Sequence, residues 1–98
     1  MPQQNQFMPI VYLMTGSNLG NRKENLKQAT EEVAKWAGKI VYLSKIYVSD
    51  PWGSADQQQF LNQLLVIETE KTAREIMGIC IEIEQKLGRV RSKEQNSP

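Results

Sequence analysis

Two helix-start signals constrain the fold of this 98-residue chain more than any other feature. Asn21 is followed three residues later by Glu24, and Thr72 is followed at the same distance by Glu75. In such a pair the first side chain caps the free N–H groups of a new helix, and the glutamate bonds back to the capping residue. We therefore predict that one helix begins after Asn21 and a second after Thr72.

Each predicted helix carries an apolar stripe and ends at a glycine. The first covers Arg22–Trp36 and stops at Gly38, and the second runs from the Thr72 cap to Gly88. The stripes contain Leu26, Ala29, Thr30, Val33, Ala34 and Trp36 in the first helix, and Ile76, Ile79, Cys80, Ile83 and Leu87 in the second. We expect these side chains to face the core.

Three runs rich in β-favouring residues accompany the helices: Ile10–Met14, Ile40–Val48 and Phe60–Thr69. The order of elements predicts an α+β, ferredoxin-like βαββα fold with an antiparallel sheet, helices on one face and the last strand missing. We expect a disordered tail over residues 1–9, a single domain over 10–91 and a flexible tail over 92–98. The strand Ile10–Met14 would then be a bare sheet edge, through which we expect a homodimer to form.

Composition argues against several classes of protein. The net charge of +1 argues neither for nor against a polyanionic partner. The predicted strands lack the interleaved aromatic and basic residues of RNA-binding sheets, so we expect no nucleic-acid partner. The sequence has no histidine and a single cysteine, Cys80, which argues against a zinc site or an internal disulfide and fits a cytoplasmic protein. No apolar run approaches the roughly 20 residues of a membrane span, so we expect no membrane partner.

The loop before the third predicted strand is rich in special residues. Pro51 and Gly53 flank Trp52 and set the backbone around it. Phe60 and Asn62 follow at a spacing of two, which places both side chains on one face of an extended strand. An aromatic ring beside a carboxamide suits a flat, hydrogen-bonding heterocycle, and Trp52 could supply a second wall.

Two other clusters leave alternatives open. The turn from Gly16 to Gly20 is either a simple strand-to-helix connection or a phosphate cradle, and it lacks the spacing of the known phosphate-binding loops. Arg89 and Arg91 are either a solvated basic tail or a forked phosphate site, because arginines two apart in an extended segment project the same way. Glu84 lies on or near the buried stripe of the second helix.

Taken together, these segments resemble the 6-hydroxymethyl-7,8-dihydropterin pyrophosphokinase family of folate biosynthesis. The resembling segments, in chain order, are Gly16–Arg22, Glu24–Leu26, Ser44–Tyr47, Pro51–Gly53, Asp56–Gln57, Phe60–Asn62, Ile83–Glu84 and Leu87–Arg91. The resemblance implies transfer of a pyrophosphoryl group from ATP to the hydroxymethyl group of a reduced pterin. It implies pterin-binding roles for Ser49, Asp50, Trp52, Phe60 and Asn62, nucleotide-binding roles for Glu84, Arg89 and Arg91, and a catalytic role for Arg89.

One departure from the family pattern bears on activity. Members of the family continue with an Arg-Trp-Gly-Pro-Arg-like segment and then with an Asp-x-Asp pair that binds two Mg²⁺ ions. Here Gln95 and Asn96 stand where the arginine and the tryptophan are common, and both aspartates of the pair are absent from the sequence. We therefore expect that this chain has no metal ligands, binds no Mg²⁺ and is inactive alone. The alternatives are a non-catalytic pterin- or nucleotide-binding module on the same fold, and a ferredoxin-like interaction or RNA-binding domain.

Overall fold

A computed structural model of the chain describes residues 8–51 and 58–87. The elements are β1 (Ile10–Ser17), α1 (Arg22–Trp36), β2 (Lys39–Leu43), β3 (Tyr47–Ser49), β4 (Phe60–Glu68) and α2 (Ala73–Lys86). The α+β fold with an antiparallel sheet and two helices is thus confirmed. The predicted terminal tails lie almost wholly outside the described residues. Neither helix in the described ranges is long and apolar enough to cross a membrane.

Strand β4 lies at the centre of the sheet. It pairs along its whole length with β1, in a register that runs from Ile10 opposite Glu68 to Ser17 opposite Leu61. On its other side, β2 pairs with its C-terminal half and β3 with its N-terminal half. All three pairings are antiparallel. Because β4 is the shared partner, every other described strand depends on it for backbone hydrogen bonds.

The prediction of one uninterrupted strand over Ile40–Val48 was wrong. Leu43 lies opposite Leu65 and Tyr47 opposite Asn62, so four steps along this segment match three steps along β4. Because the two counts differ, the ladder must break between β2 and β3. Ser44 bridges the break, since its N–H donates to the Leu64 carbonyl at 2.9 Å and its hydroxyl accepts from the Leu64 N–H at 2.9 Å.

Both predicted helix starts are confirmed. The Asn21 side chain accepts from the N–H of Glu24 at 3.1 Å. Thr72 and Glu75 form the full reciprocal box, with bonds of 3.1 Å and 2.8 Å. Local capping therefore fixes where α1 and α2 begin, before any tertiary contact is considered.

The core lies between the helices and one face of the sheet. Its buried residues are Ala29 and Val33 of α1, Ala37 directly after α1, Leu65 and Ile67 of β4, and Ile76 and Ile83 of α2. Residues of both helices belong to one core cluster with these two β4 side chains, so the helices share one face of the sheet. Burying such side chains supplies most of the free energy of folding, at about 25 cal/mol per Å² of apolar surface.

Two residues of the predicted α1 stripe are exposed rather than buried. Ala34 is exposed, and Trp36 is 52% exposed with its indole N–H donating to Glu32 at 3.1 Å. The small residue Ala37 takes the buried place at the end of the helix instead. Its carbonyl accepts from the hydroxyl of buried Thr69 at 2.6 Å, which ties the end of α1 to the end of β4.

Gly38 shows why this junction tolerates no side chain. A Cβ built there would collide with the Glu68 carbonyl oxygen and come within 2.9 Å of the Thr69 Cβ. The first of these atoms is backbone at the end of the central strand, so it cannot move aside without disturbing β4. Gly38 therefore permits the close approach of α1 and β4.

We predict that Gly38→Ala lowers the free energy of unfolding by about 2 kcal/mol or more, because overpacking against backbone forces the junction apart. Gly78→Ala is the matched control, since a Cβ at this α2 position has open space around it. The control should raise the free energy of unfolding by about 0.5–1 kcal/mol, as alanine favours a helix interior over glycine. Urea unfolding checks both values, and equal effects of the two substitutions would contradict the prediction.

Candidate functional site

The candidate site lies on the sheet face that points away from the helices. Leu65 and Ile67 of β4 enter the core, so Phe60 and Asn62, which differ from them in parity, project to the opposite face. Ser49 pairs with Phe60 across the ladder and therefore shares that face. The predicted juxtaposition of Phe60 and Asn62 is confirmed, and β3 adds Ser49 beside them.

The carboxamide of Asn62 is held by the neighbouring strand. Its Nδ2 donates to the Ser49 hydroxyl at 2.8 Å and to the Tyr47 carbonyl at 3.5 Å. These contacts fix the plane of the amide before any ligand is present. Because Nδ2 donates to both of these groups, the acceptor Oδ1 is the atom that can bond to the edge of a heterocycle.

Gly16 makes room for this carboxamide. It lies opposite Asn62 in the β1–β4 ladder, and a Cβ built on it would approach the Asn62 Oδ1 to 2.9 Å and the Phe60 Cδ1 to 3.7 Å. Our assignment of Gly16 to a turn was therefore wrong, because β1 continues to Ser17. Sequence reasoning missed this role, since it depends on a pairing 46 residues away along the chain.

The turn between β1 and α1 is held together by asparagines. Asn25 donates from Nδ2 to the Ser17 hydroxyl at 3.0 Å and to the Leu19 carbonyl at 2.9 Å. Asn18 is 5% exposed and donates to the Gln58 carbonyl at 3.5 Å, while its buried Oδ1 has no hydrogen-bond partner. These contacts favour the structural interpretation of the turn over a phosphate cradle.

Asp50 lies next to the site and is engaged by a neighbour. The side chain of Gln59 donates from Nε2 to Asp50 Oδ1 at 2.8 Å, and the carbonyl of Gln59 accepts from Arg22 Nη1 at 2.7 Å. The structure thus brings together four residues of the predicted pterin set, Ser49, Asp50, Phe60 and Asn62. Trp52 lies outside the described residues.

Glu84 lies on the helix side of the sheet. It is half-buried in α2 and lines a cleft of about 80 Å³ between β1 and the two helices, together with Leu13, Thr15 and Cys80. Burial raises the pKa of the Cys80 thiol, and the nearby charge of Glu84 raises it further. Arg89 and Arg91, the other predicted nucleotide-binding residues, lie outside the described residues.

The carboxylates among the described residues do not gather at one place. Among residues 8–51 and 58–87, no group of three metal-ligating side chains comes together. Asp50 accepts from Gln59, and Glu84 lies in a largely apolar cleft on the other side of the sheet. The only aspartates of the sequence, Asp50 and Asp56, are six residues apart rather than two.

The fold and this geometry define a class of protein: a ferredoxin-like α+β domain whose open sheet face carries an aromatic ring beside an oriented carboxamide at one end. Similarity to known proteins identifies the family. The chain belongs to the 7,8-dihydro-6-hydroxymethylpterin-pyrophosphokinase family, whose model matches residues 12–98.

Individual relatives agree with this assignment. The 2-amino-4-hydroxy-6-hydroxymethyldihydropteridine pyrophosphokinase of Methylorubrum extorquens is 40% identical over 87 residues, which are 88% of this chain and 55% of that protein. The proteins of the same name from Porphyromonas gingivalis and Bacillus subtilis are each 39% identical, over 82 and 83 residues, and 84% of this chain is covered in both. Matches cover 56% and 50% of those two proteins. The chain thus spans about half the length of these relatives.

We predict that Gly16→Ala leaves the fold intact but displaces the Asn62 carboxamide. Only the far end of a flexible side chain must move, so the free energy of unfolding should change by less than about 1 kcal/mol. The measurement is the ¹⁵N chemical shift of the Asn62 side-chain amide, combined with urea unfolding. Gly78→Ala, a substitution into open space, should leave that signal in place. An unmoved Asn62 amide in Gly16→Ala would show that the glycine does not shape the site.

Proposed function

We propose that this chain supplies the pterin side of a pyrophosphokinase site, in which ATP donates a pyrophosphoryl group to 6-hydroxymethyl-7,8-dihydropterin. The observation that carries the proposal is the cluster of Phe60, Asn62 and Ser49 on one face, with Gly16 opposite. These residues hold an aromatic ring and an oriented carboxamide side by side in a chain of the pyrophosphokinase family.

The chemistry of the two side chains fits a pterin. Phe60 offers an aromatic face against which a flat ring system can stack, and such stacking excludes water from one side of the ring. Asn62 offers its acceptor, Oδ1, to the amino group at the edge of the pyrimidine ring, while its Nδ2 donates to Ser49 and Tyr47. Because Ser49 already fixes the carboxamide, little conformational entropy is lost on binding.

Asp50 and Trp52 complete the proposed pterin set. Asp50 lies directly after β3 and is joined to Gln59 at the start of β4, so it lies where the loop between these strands leaves the sheet. We assign Trp52, two residues further on, to the second wall of the pterin site. Asp50 therefore belongs to the loop side of the proposed pocket rather than to the sheet.

The proposed phosphate side comprises Glu84, Arg89 and Arg91. In the transfer, the hydroxymethyl oxygen bonds to the β-phosphorus of ATP. The bond from that phosphorus to the α–β bridging oxygen breaks, so AMP leaves, and the hydroxyl proton is released. Two arginine forks can hold phosphate oxygens, and Arg89 is assigned to neutralise the charge that develops. Positioning and charge neutralisation are the main requirements of such transfers, so the lack of histidine is no obstacle.

A second candidate function follows from the carboxylates. Mg²⁺ supplies charge neutralisation to ATP in this kind of reaction, yet the described residues do not offer a set of ligands for it. We therefore propose that these 98 residues do not complete the transfer by themselves. A non-catalytic pterin- or nucleotide-binding module is the alternative that this observation favours.

The cytoplasmic location that the lone cysteine suggested stays a prediction.

We also propose self-association through the strand Ile10–Met14. In the part of the chain that the structure describes, β1 pairs only with β4, so its other edge has free backbone groups. The strand has no charged residue or proline that would block a second chain, and Tyr12 and Met14 are 70% and 65% exposed. Antiparallel pairing of two copies about a two-fold axis would satisfy the edge and bury these side chains.

The test of the pterin site is titration calorimetry with 6-hydroxymethylpterin. We predict that Asn62→Ala and Phe60→Ala each raise Kd about tenfold or more, since each removes roughly 1.4 kcal/mol or more of hydrogen bonding or stacking. Glu68→Gln is the control, because this residue shares the face but lies at the far end of β4. Wild-type affinity in both site variants would sink the proposal.

The test of association is sedimentation of paired lysine variants. Tyr12 and Tyr42 both lie opposite Val66, on strands at opposite sides of β4, which makes them matched positions. We predict that the wild type sediments as a dimer, that Tyr12→Lys sediments as a monomer because it charges the pairing edge, and that Tyr42→Lys stays dimeric. A wild-type monomer at high concentration would refute the dimer.

A further inference from the structure

Arg22 reaches from the helix to the start of the central strand. It is the first residue of α1, and its Nη1 donates to the Gln59 carbonyl at 2.7 Å. Gln59 immediately precedes Phe60, so this bond holds the peptide group from which Phe60 enters β4. A hydrogen bond from a guanidinium is charge-assisted, and it is stronger than one between neutral groups.

The side chain of Gln59 extends this connection to β3. Its Nε2 donates to Asp50 at 2.8 Å, and the residue before Asp50 is Ser49, whose hydroxyl accepts from Asn62. The bond from Arg22 therefore fixes Gln59, which is linked to two parts of the candidate site. Gln59 is covalently joined to Phe60, and its side chain bonds to Asp50, the neighbour of the Ser49 that holds the Asn62 carboxamide.

The base from which Arg22 acts is rigid. The β1–α1 turn is braced by Asn25, and Asn18 adds a second tie to the start of β4 at the Gln58 carbonyl. Farther along α1, Leu26 and Val33 are each only 2% exposed, so the helix is anchored in the interior. Because the helix cannot easily shift, the Arg22 bond transmits its position to Gln59.

We propose that Arg22 is a positioning residue for the heterocycle site, and this inference rests on the pterin-binding function proposed above. Arg22 sets where Phe60 and Asn62 lie without contacting the heterocycle itself. Without the guanidinium, the residues before Phe60 lose their hydrogen bond to α1. Ligand binding must then order them, which reduces the binding free energy.

The experiment compares Arg22→Ala, Arg22→Lys and Arg74→Ala in binding to 6-hydroxymethylpterin. Arg74 lies in the first turn of α2, is exposed, and makes no hydrogen bond or ion pair among the described residues, so it controls for loss of an arginine near a helix start. We expect Arg22→Ala to raise Kd about tenfold, the factor that one charge-assisted bond supplies. Arg22→Lys, which keeps a cationic donor, should restore part of the affinity, and Arg74→Ala should bind as the wild type does.

NMR of the ligand-free variants separates positioning from a general structural role. In Arg22→Ala the Asn62 side-chain amide and the Phe60 ring signals should shift, while the methyl signals of Leu65 and Ile67 in the core stay in place. Shifted core signals would indicate a structural role and overturn the inference. Unmoved Asn62 signals, or an equal shift in Arg74→Ala, would overturn it as well.

These arms also separate failure of the inference from failure of the proposed function. If the wild type binds the pterin and Arg22→Ala binds it equally well, positioning by Arg22 is refuted and the proposed function stands. If the wild type does not bind and the Asn62 signals of ligand-free Arg22→Ala shift alone, the structural coupling is supported while pterin binding by this chain is refuted.

Discussion

The pairing of β4 on both sides is the constraint on which the rest of the structure depends. Its side chains Leu65 and Ile67 are fully buried under the helices, whereas Phe60 and Asn62 project from the other face. One strand thus carries the core and the candidate site in alternation. A slip of one residue in its pairing would send every core side chain to the open face and the site into the core. The burial of the core therefore also fixes the site.

The ends of the strands hold this register by contacts that are not part of a regular ladder. Ser44 bonds to both backbone groups of Leu64 where β2 gives way to β3. Thr69 bonds to the Ala37 carbonyl where β4 ends, and Gly38 allows the two segments to touch. Buried hydroxyl groups at these points bond to backbone groups that would otherwise be buried without a hydrogen-bond partner.

Local signals made the helices predictable, and non-local pairing hid the rest. Caps such as Thr72 with Glu75 act within four residues, so the sequence reveals where a helix begins. The shared face of Phe60 and Asn62 follows from strand period alone. The break in the ladder at Ser44 and the space that Gly16 leaves for the Asn62 carboxamide depend on partners 20 and 46 residues away, which no local pattern encodes. Trp36 was misplaced because a helical stripe does not tell where the sheet beneath it ends.

The two halves of the proposed reaction make different demands on the chain. On the proposed function, the ring is bound at strands β1, β3 and β4, where Gly16, Ser49 and Asn62 shape the site and Arg22 of α1 helps to position it. Phosphoryl transfer needs charges brought together around ATP, and Glu84 lies on the helix side of the sheet, across β1 from Asn62. A ring site built into the sheet can thus be preorganised independently of the phosphate site. On the proposed function, substitutions at Asn62 and at the phosphate-binding residues should therefore act as separate, additive perturbations.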